Sequence, residues 1–177
     1  EIMKMVKDLG AKAHHIFLLV PMGRAKEMTA EELSAAEYEK TLEFLAREKQ
    51  NSPLEIKITC APHFNRILLQ KHFDTAPSLM GRGCMAGVSF CFISNVGEIQ
   101  PCGYLELKCG NVRQQGFEKI WRESEVFKNI RDWTKYEGKC GICEFKNFCG
   151  GCRARALAKF GSYLKEEPFC AYVPTAA

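Results

Sequence analysis

At 177 residues the chain is long enough for one sizeable domain or two small ones with a hydrophobic core. Hydrophobic residues make up 46% and charged residues 26%, which argues against disorder, and a formal charge of +4 is too small and dispersed for a nucleic-acid surface; it suits an anionic small molecule. The longest apolar run, 16–20, falls far short of the ~20 residues of a membrane span. The chain opens charged and helical rather than as a secretory leader, so a cytoplasmic protein is expected.

The first part of the chain alternates helix and strand. A helix is predicted over 1–10, closed by Gly10. The continuous apolar stretch 15–20, bounded by Pro21 and Gly23, has the pattern of a strand buried on both faces. Thr29-Ala30-Glu31-Glu32 matches a capping box and predicts a helix from there to about Gln50, with Leu33, Ala36, Leu42 and Leu45 available for its buried face. Residues 54–60 alternate as a second strand, and Pro62 suits the first turn of a short helix through Leu69. Strand–helix–strand–helix is the signature of parallel βαβ units.

A join is predicted near 73–78, dividing the chain into 1–77 and 78–177. In the second part, 88–94 and 98–100 read as a β-hairpin with Gly97 in the turn. Helices are expected over 115–122 and 125–136, with Phe117, Ile120, Trp121, Phe127 and Ile130 in the core. Residues 140–152 have no periodicity, and 153–160 predicts a helix stopped by Gly161.

The ten cysteines are the informative feature. Nothing suggests secretion, so metal binding outranks a disulfide framework. Cys140, Cys143, Cys149 and Cys152 fall within thirteen residues. Three thiolates on such a loop can converge on one iron–sulfur cube, and glycines at 141, 150 and 151 let the backbone approach it closely. Cys170 is the natural fourth ligand, and Cys84 with Cys102 would start a second centre. Zinc-ribbon CxxC pairs stand about 15–20 residues apart; here five residues intervene and most other cysteines would go unexplained. A zinc-binding interaction module is therefore the weaker alternative.

These spacings resemble the C-terminal extension of radical S-adenosylmethionine (radical SAM) enzymes known as the SPASM domain. Cys84 is followed by twelve residues, Gly97, four residues and Cys102; then come CxxC, five residues, Cys149, two residues, Cys152, a gap and Cys170. The family pattern has three residues before the position of Cys152. The resemblance implies the last strands of a partial (β/α)6 barrel over 1–77, and over 78–177 an α+β SPASM domain with a hairpin, short helices and a cysteine knuckle. It implies two auxiliary [4Fe–4S] clusters, one on Cys140, Cys143, Cys149 and Cys170, the other on Cys84, Cys102 and Cys152. The second set is one ligand short. Cys109 is the preferred candidate and Cys91 the next, the iron being otherwise open; Cys60 reads as a buried, unligated thiol.

The stretches HIFLLVPMGRAKE, TCAPHFNRI, CMAGVSFCFISNVGEIQPCGYLELKCGNVR and FCGGCRARA further resemble the radical SAM enzymes of heme d1 synthesis and of the siroheme-dependent heme route. That likeness implies a tetrapyrrole substrate whose propionate or acetate groups are oxidatively decarboxylated or removed. A peptide-modifying maturase is the alternative. The CxxxCxxC loop that would bind S-adenosylmethionine and a third [4Fe–4S] cluster is absent here and is expected upstream of Glu1; the chain alone should be inactive. An electron donor such as a ferredoxin or flavodoxin is the expected partner. Substrate contacts belong after the barrel strands, where Arg24, then Arg66, can pair with a carboxylate and His63 is a further candidate. Arg153 and Arg155 could tune a cluster or simply lie on a helix surface.

Overall fold

The computed structural model describes residues 1–71 and 82–175, so the predicted join at 73–78 lies outside the described residues. Helix α1 (Ile2–Asp8) leads to strand β1 (Ala13–Phe17). Its parallel partner is β2 (Glu55–Thr59), in register from Ala13 opposite Glu55 to Phe17 opposite Thr59. Helix α2 (Ala35–Asn51) makes the crossover, and α3 (His63–Gln70) follows β2. One parallel βαβ unit is thus present, as the alternation of elements predicts.

Two expectations for this part need correction. Strand β1 is not buried on both faces: Ala13, His15 and Phe17 are exposed, and only the opposite face, through Ile16 and Ile58, meets the helices. The apolar run outlasts the strand, and Val20 is buried beyond its end. The capping box also lies elsewhere. Residues Thr29–Glu31 form a 3-10 turn, and α2 opens at Ala35 behind Ser34. The Ser34 side chain accepts from the Glu37 N–H at 3.3 Å, and the Glu37 carboxylate accepts from the Ser34 N–H at 2.8 Å. Both tetrapeptides fit the pattern, but the Ser34 box feeds directly into the stripe Tyr38, Leu42, Leu45, Ala46, which is the buried face. Leu33 precedes the helix and Ala36 is exposed. The first core consists of Leu42, Leu45, Ala46, Ala61, Phe64, Ile67 and Leu68.

In the second part, β3 (Phe92–Ile93), β4 (Glu98–Gln100) and β5 (Gly110–Asn111) form an antiparallel sheet. The hairpin turns through Gly97 at φ +85°; its third strand carries no alternation and was not predicted. Helices α4 (Phe117–Glu123) and α5 (Glu125–Arg131) pack Ile120 and Phe127 onto Ile99. Phe117, expected in the core, is exposed, and α5 stops short of 136, giving way to a 3-10 turn at Trp133–Lys135. A one-turn helix α6 (Gly138–Ile142) opens the cysteine knuckle, and α7 (Arg153–Phe160) ends on Gly161 at φ +71°. A third core, of Val20, Leu105, Ile130, Cys152 and Ala154, unites the two parts. Asn65 Nδ2 donates to the Phe148 carbonyl at 3.2 Å and Arg155 Nη1 to the Leu19 carbonyl at 3.2 Å across that join.

Candidate metal centre

The knuckle is folded around its sulfurs. Cys140 sits on α6, Cys143 caps it, and a turn through Phe145 returns the chain to Cys149. Cys170 arrives from the C-terminal segment. These four cysteines line one cavity, with Arg66, Lys139 and Glu167 among the other walls. The grouping predicted for one cluster is therefore also a spatial grouping.

The surroundings are donors to sulfur. The Glu167 N–H donates to Cys140 Sγ at 3.2 Å and the Gly151 N–H to Cys149 Sγ at 3.4 Å. Arg153 Nη2 stands 3.8 Å from Cys140 Sγ, and Arg66 Nη2 stands 3.7 Å from Cys170 Sγ. Gly151 has φ +62°, and a Cβ there would come within 2.4 Å of the Arg153 guanidinium and 3.4 Å of Cys140 Sγ. Backbone N–H groups, guanidinium groups and a glycine cradle aimed at soft ligands fit an iron–sulfur cube, whose charge they would stabilise. Among the described residues no three Cys, His, Asp or Glu side chains close on a single ion. A [4Fe–4S] cube with a thiolate on each of its irons holds those ligands farther apart than tetrahedral zinc does.

Cys102 and Cys152 meet in the core that unites the two parts, and Cys60 packs there as well. Burial pushes the Cys84 thiol up to about 11, and negative charge on Cys152 or Cys102 would raise it further. Cys84, Cys102 and Cys152 thus share one neighbourhood, as predicted. Cys91 and Cys109 do not join them. They pack together against Ile99, Ile120 and Phe127, and Cys109 Sγ faces the Leu107 carbonyl at 3.5 Å. The antiparallel sheet holds that pair on its own core, separate from the core of Cys102 and Cys152.

Between the two sets stands Glu167, whose position carries no motif. Its backbone donates to Cys140 Sγ while its carboxylate accepts from the Cys152 N–H at 2.6 Å and from Arg155 Nε at 2.9 Å. Both members of that ion pair are buried. Burial would raise the carboxyl, but Arg155, His63 and the Cys152 N–H outweigh it and hold it below the usual range. Arg153 and Arg155 are buried rather than on a helix surface.

The predicted substrate contacts separate in the same way. Arg24 is exposed on the 3-10 turn Gly23–Glu27. Arg66 is buried, forked onto Glu39 at 2.7 and 2.6 Å. His63 is fully buried beside Tyr38, neither ring nitrogen has a hydrogen-bond partner, and burial brings its pKa down to about 4. A cavity of about 330 Å³ opens between Met22, Lys26 and Glu32 on one side and Arg155, Lys159 and Phe169 on the other.

Residues 84–153 match the SPASM family, described as an iron-sulfur cluster-binding domain. The chain is 48% identical to an AdoMet-dependent heme synthase of Oleidesulfovibrio alaskensis over 98% of its own length and 47% of that protein. It is 45% identical to the AdoMet-dependent heme synthase of Methanosarcina barkeri over 97% of its length and 51% of that protein. Mycofactocin maturase MftC of Mycobacterium tuberculosis is 35% identical over 44% of the chain and 20% of its own length. The chain spans about half the length of the heme synthases it matches.

Proposed function

We propose, from the premise that this chain belongs to the radical SAM proteins carrying a SPASM domain, that it is the cluster-bearing C-terminal part of an AdoMet-dependent heme synthase. The observation that carries this reading is the convergence of Cys140, Cys143, Cys149 and Cys170 on one donor-lined cavity within a cluster-binding domain. Similarity to heme synthases along nearly the whole chain, against a maturase likeness over less than half of it, favours a tetrapyrrole over a peptide.

In this reading β1 and β2 are the last strands of a partial (β/α)6 barrel whose earlier part includes the S-adenosylmethionine loop. Cys140, Cys143, Cys149 and Cys170 hold one auxiliary [4Fe–4S] cluster, and Cys84, Cys102 and Cys152 hold a second. The reaction is oxidative decarboxylation of a propionate: a hydrogen atom leaves the side chain, carbon dioxide departs, a vinyl group forms and one electron must be taken up. Auxiliary clusters, when bound, supply a one-electron acceptor for it. Arg66, Arg153 and the Glu167 N–H stabilise thiolate charge. Arg24 on its exposed turn, with Lys26 and Lys159 at the neighbouring cavity, pairs with substrate carboxylates. His63 and Arg66, both buried, position the cluster wall rather than reach substrate. A small electron-transfer protein such as a ferredoxin or flavodoxin supplies the initiating electron in the cytoplasm. Among the described residues no helix is long and apolar enough to cross a membrane.

The test uses the full-length protein, reconstituted anaerobically with iron and sulfide and given S-adenosylmethionine, a reductant and a propionate-bearing iron tetrapyrrole. Formation of 5′-deoxyadenosine together with loss of carbon dioxide from the tetrapyrrole is expected. Turnover of a peptide and not of the tetrapyrrole would overturn the substrate assignment. A protein that takes up zinc but no sulfide would overturn the cluster assignment as well.

A further inference from the structure

The geometry points to Cys60 as the fourth thiolate of the Cys84–Cys102–Cys152 centre, in place of Cys91 or Cys109; the inference rests on the two-cluster reading above. Cys60 is the first residue beyond β2, at the C-terminal end of the parallel pair. It packs into the same core as Cys102 and Cys152. Cys84 is held near the end of β2 through its neighbour: Gly83 lies so close to the β2–α3 loop that an added Cβ would come within 2.6 Å of the Pro62 carbonyl oxygen. Four cysteines from four separate stretches of chain thus meet around one place.

The backbone supplies an independent observation. Cys60 has φ +61°, the only non-glycine residue with positive φ among the described residues. That conformation is unfavourable for an L-residue, is kept only where its surroundings demand it, and concentrates at functional sites. A glycine would relieve the strain, yet this chain has a thiol there. The left-handed turn redirects the side chain relative to the strand it leaves, so Cys60 need not follow the alternation of β2. Cys91 and Cys109 share a different core.

Closing the set has a chemical consequence. With four protein thiolates no iron is left for substrate to bind, so the centre serves as an electron acceptor and not as a Lewis acid. A cluster held by these four cysteines would also tie the end of β2 to the SPASM domain.

The experiment compares a full-length parent protein, wild type at 60, 91 and 109 but with its upstream CxxxCxxC cysteines replaced by alanine so that no three-cysteine cluster with an open iron remains, with the same protein carrying Cys60→Gly, Cys91→Ala or Cys109→Ala, each reconstituted anaerobically. Cys60→Gly suits the left-handed backbone, so it removes the sulfur without adding strain. Iron and sulfide are counted, and the EPR spectrum of the reduced protein is recorded with and without cyanide as a probe for an open iron. The parent should be silent to cyanide. Cys60→Gly should either lose about four irons per chain or gain a cyanide-sensitive cluster signal, while Cys91→Ala and Cys109→Ala match the parent. The parent's iron content and a cyanide-silent spectrum in Cys60→Gly would overturn the assignment, as would a Cys109→Ala or Cys91→Ala protein that loses the cluster. A parent with iron for only one auxiliary cluster would instead overturn the two-cluster reading beneath it.

Discussion

The two cysteine sets are built in opposite ways. Cys140, Cys143 and Cys149 lie within one short loop, and Cys170 follows on the segment that closes over it. Cys84, Cys102 and Cys152 come from separate stretches, and Cys102 and Cys152 meet in a core to which the hairpin region, α5 and α7 contribute. A local set is assembled by loop conformation and by donors aimed at sulfur; a distributed set is assembled by tertiary packing. The difference predicts that damage to the knuckle removes one cluster, whereas damage to the shared core disturbs the other cluster and the fold together.

The largest effect separates them directly. Cys149→Ser should abolish the knuckle cluster, with loss of about four irons per chain, and leave the second centre's EPR signal in place. Cys102→Ala should do the reverse and also lower the unfolding midpoint, because Cys102 packs in the core that unites the two parts. Metal analysis and thermal denaturation of the anaerobic proteins check both. Equal iron loss from both centres in Cys149→Ser would show that the sets do not assemble independently.

How legible each set was follows from the same contrast. The knuckle is a run of spacings, so three of the four cysteines that line its cavity could be grouped from the sequence, with Cys170 as their natural companion. The neighbour that Cys102 and Cys152 find in Cys60 could not. A strand that ends on Thr59 says nothing about the left-handed turn at Cys60 or about Cys152 as its neighbour nearly a hundred positions later. The missing ligand of the second set drew attention to Cys109 and Cys91, which the β3–β4–β5 sheet packs onto another core. The fold shows the same limit. The βαβ unit, the hairpin and α7 were readable from periodicity and punctuation, but two tetrapeptides fitted the capping-box pattern and only burial of Tyr38 and Leu42 selects Ser34. Glu167 was invisible for a plainer reason: an isolated Glu after Glu166 has no pattern until Arg155 is buried against it.

Glu167 is where the two sets are coupled, and it gives the next effect. Glu167→Gln leaves the Arg155 guanidinium buried without its charge partner and should cost about 3–5 kcal/mol of stability. The N–H on Cys140 is kept, but the negative charge that is lost lies beside both sets, so both EPR signals should shift. A shift in one signal alone would mean that the residue belongs to one set and does not bridge them.

His63, packed near this ion pair, sharpens the comparison through pH. Its folded pKa of about 4 lies below the ordinary histidine value of 6.5, so between them the unfolded chain binds more protons and stability rises with pH. The contribution is complete above the unfolded value and is lost as pH falls toward 4, by roughly 3 kcal/mol in all. The charged groups acting on the ring are Glu167, Arg155, Arg66 and Glu39. Denaturant unfolding of wild type and His63→Phe at pH 7 and pH 5 tests this, since acid effects on the clusters cancel in the difference. The variant should lose less stability on acidification; equal losses would place the ring in contact with water.

The smallest effect belongs to the local set alone. Gly151 holds φ +62°, and an alanine Cβ would crowd the Arg153 guanidinium and the Glu167 side chain. Gly151→Ala should therefore destabilise the protein by about 1–3 kcal/mol. The displaced Arg153 has Cys140 Sγ as one of its neighbours and the Tyr163 and Lys165 carbonyls as its firmer partners, at 3.0 and 2.6 Å. Those carbonyls should keep the guanidinium near its place, so the knuckle cluster remains bound with an altered reduction potential while the second centre's potential is unchanged. Potentiometric titration followed by EPR reads the two centres separately. If both potentials moved, strain at one glycine would be travelling through α7 to Cys152, and the local set would not be local.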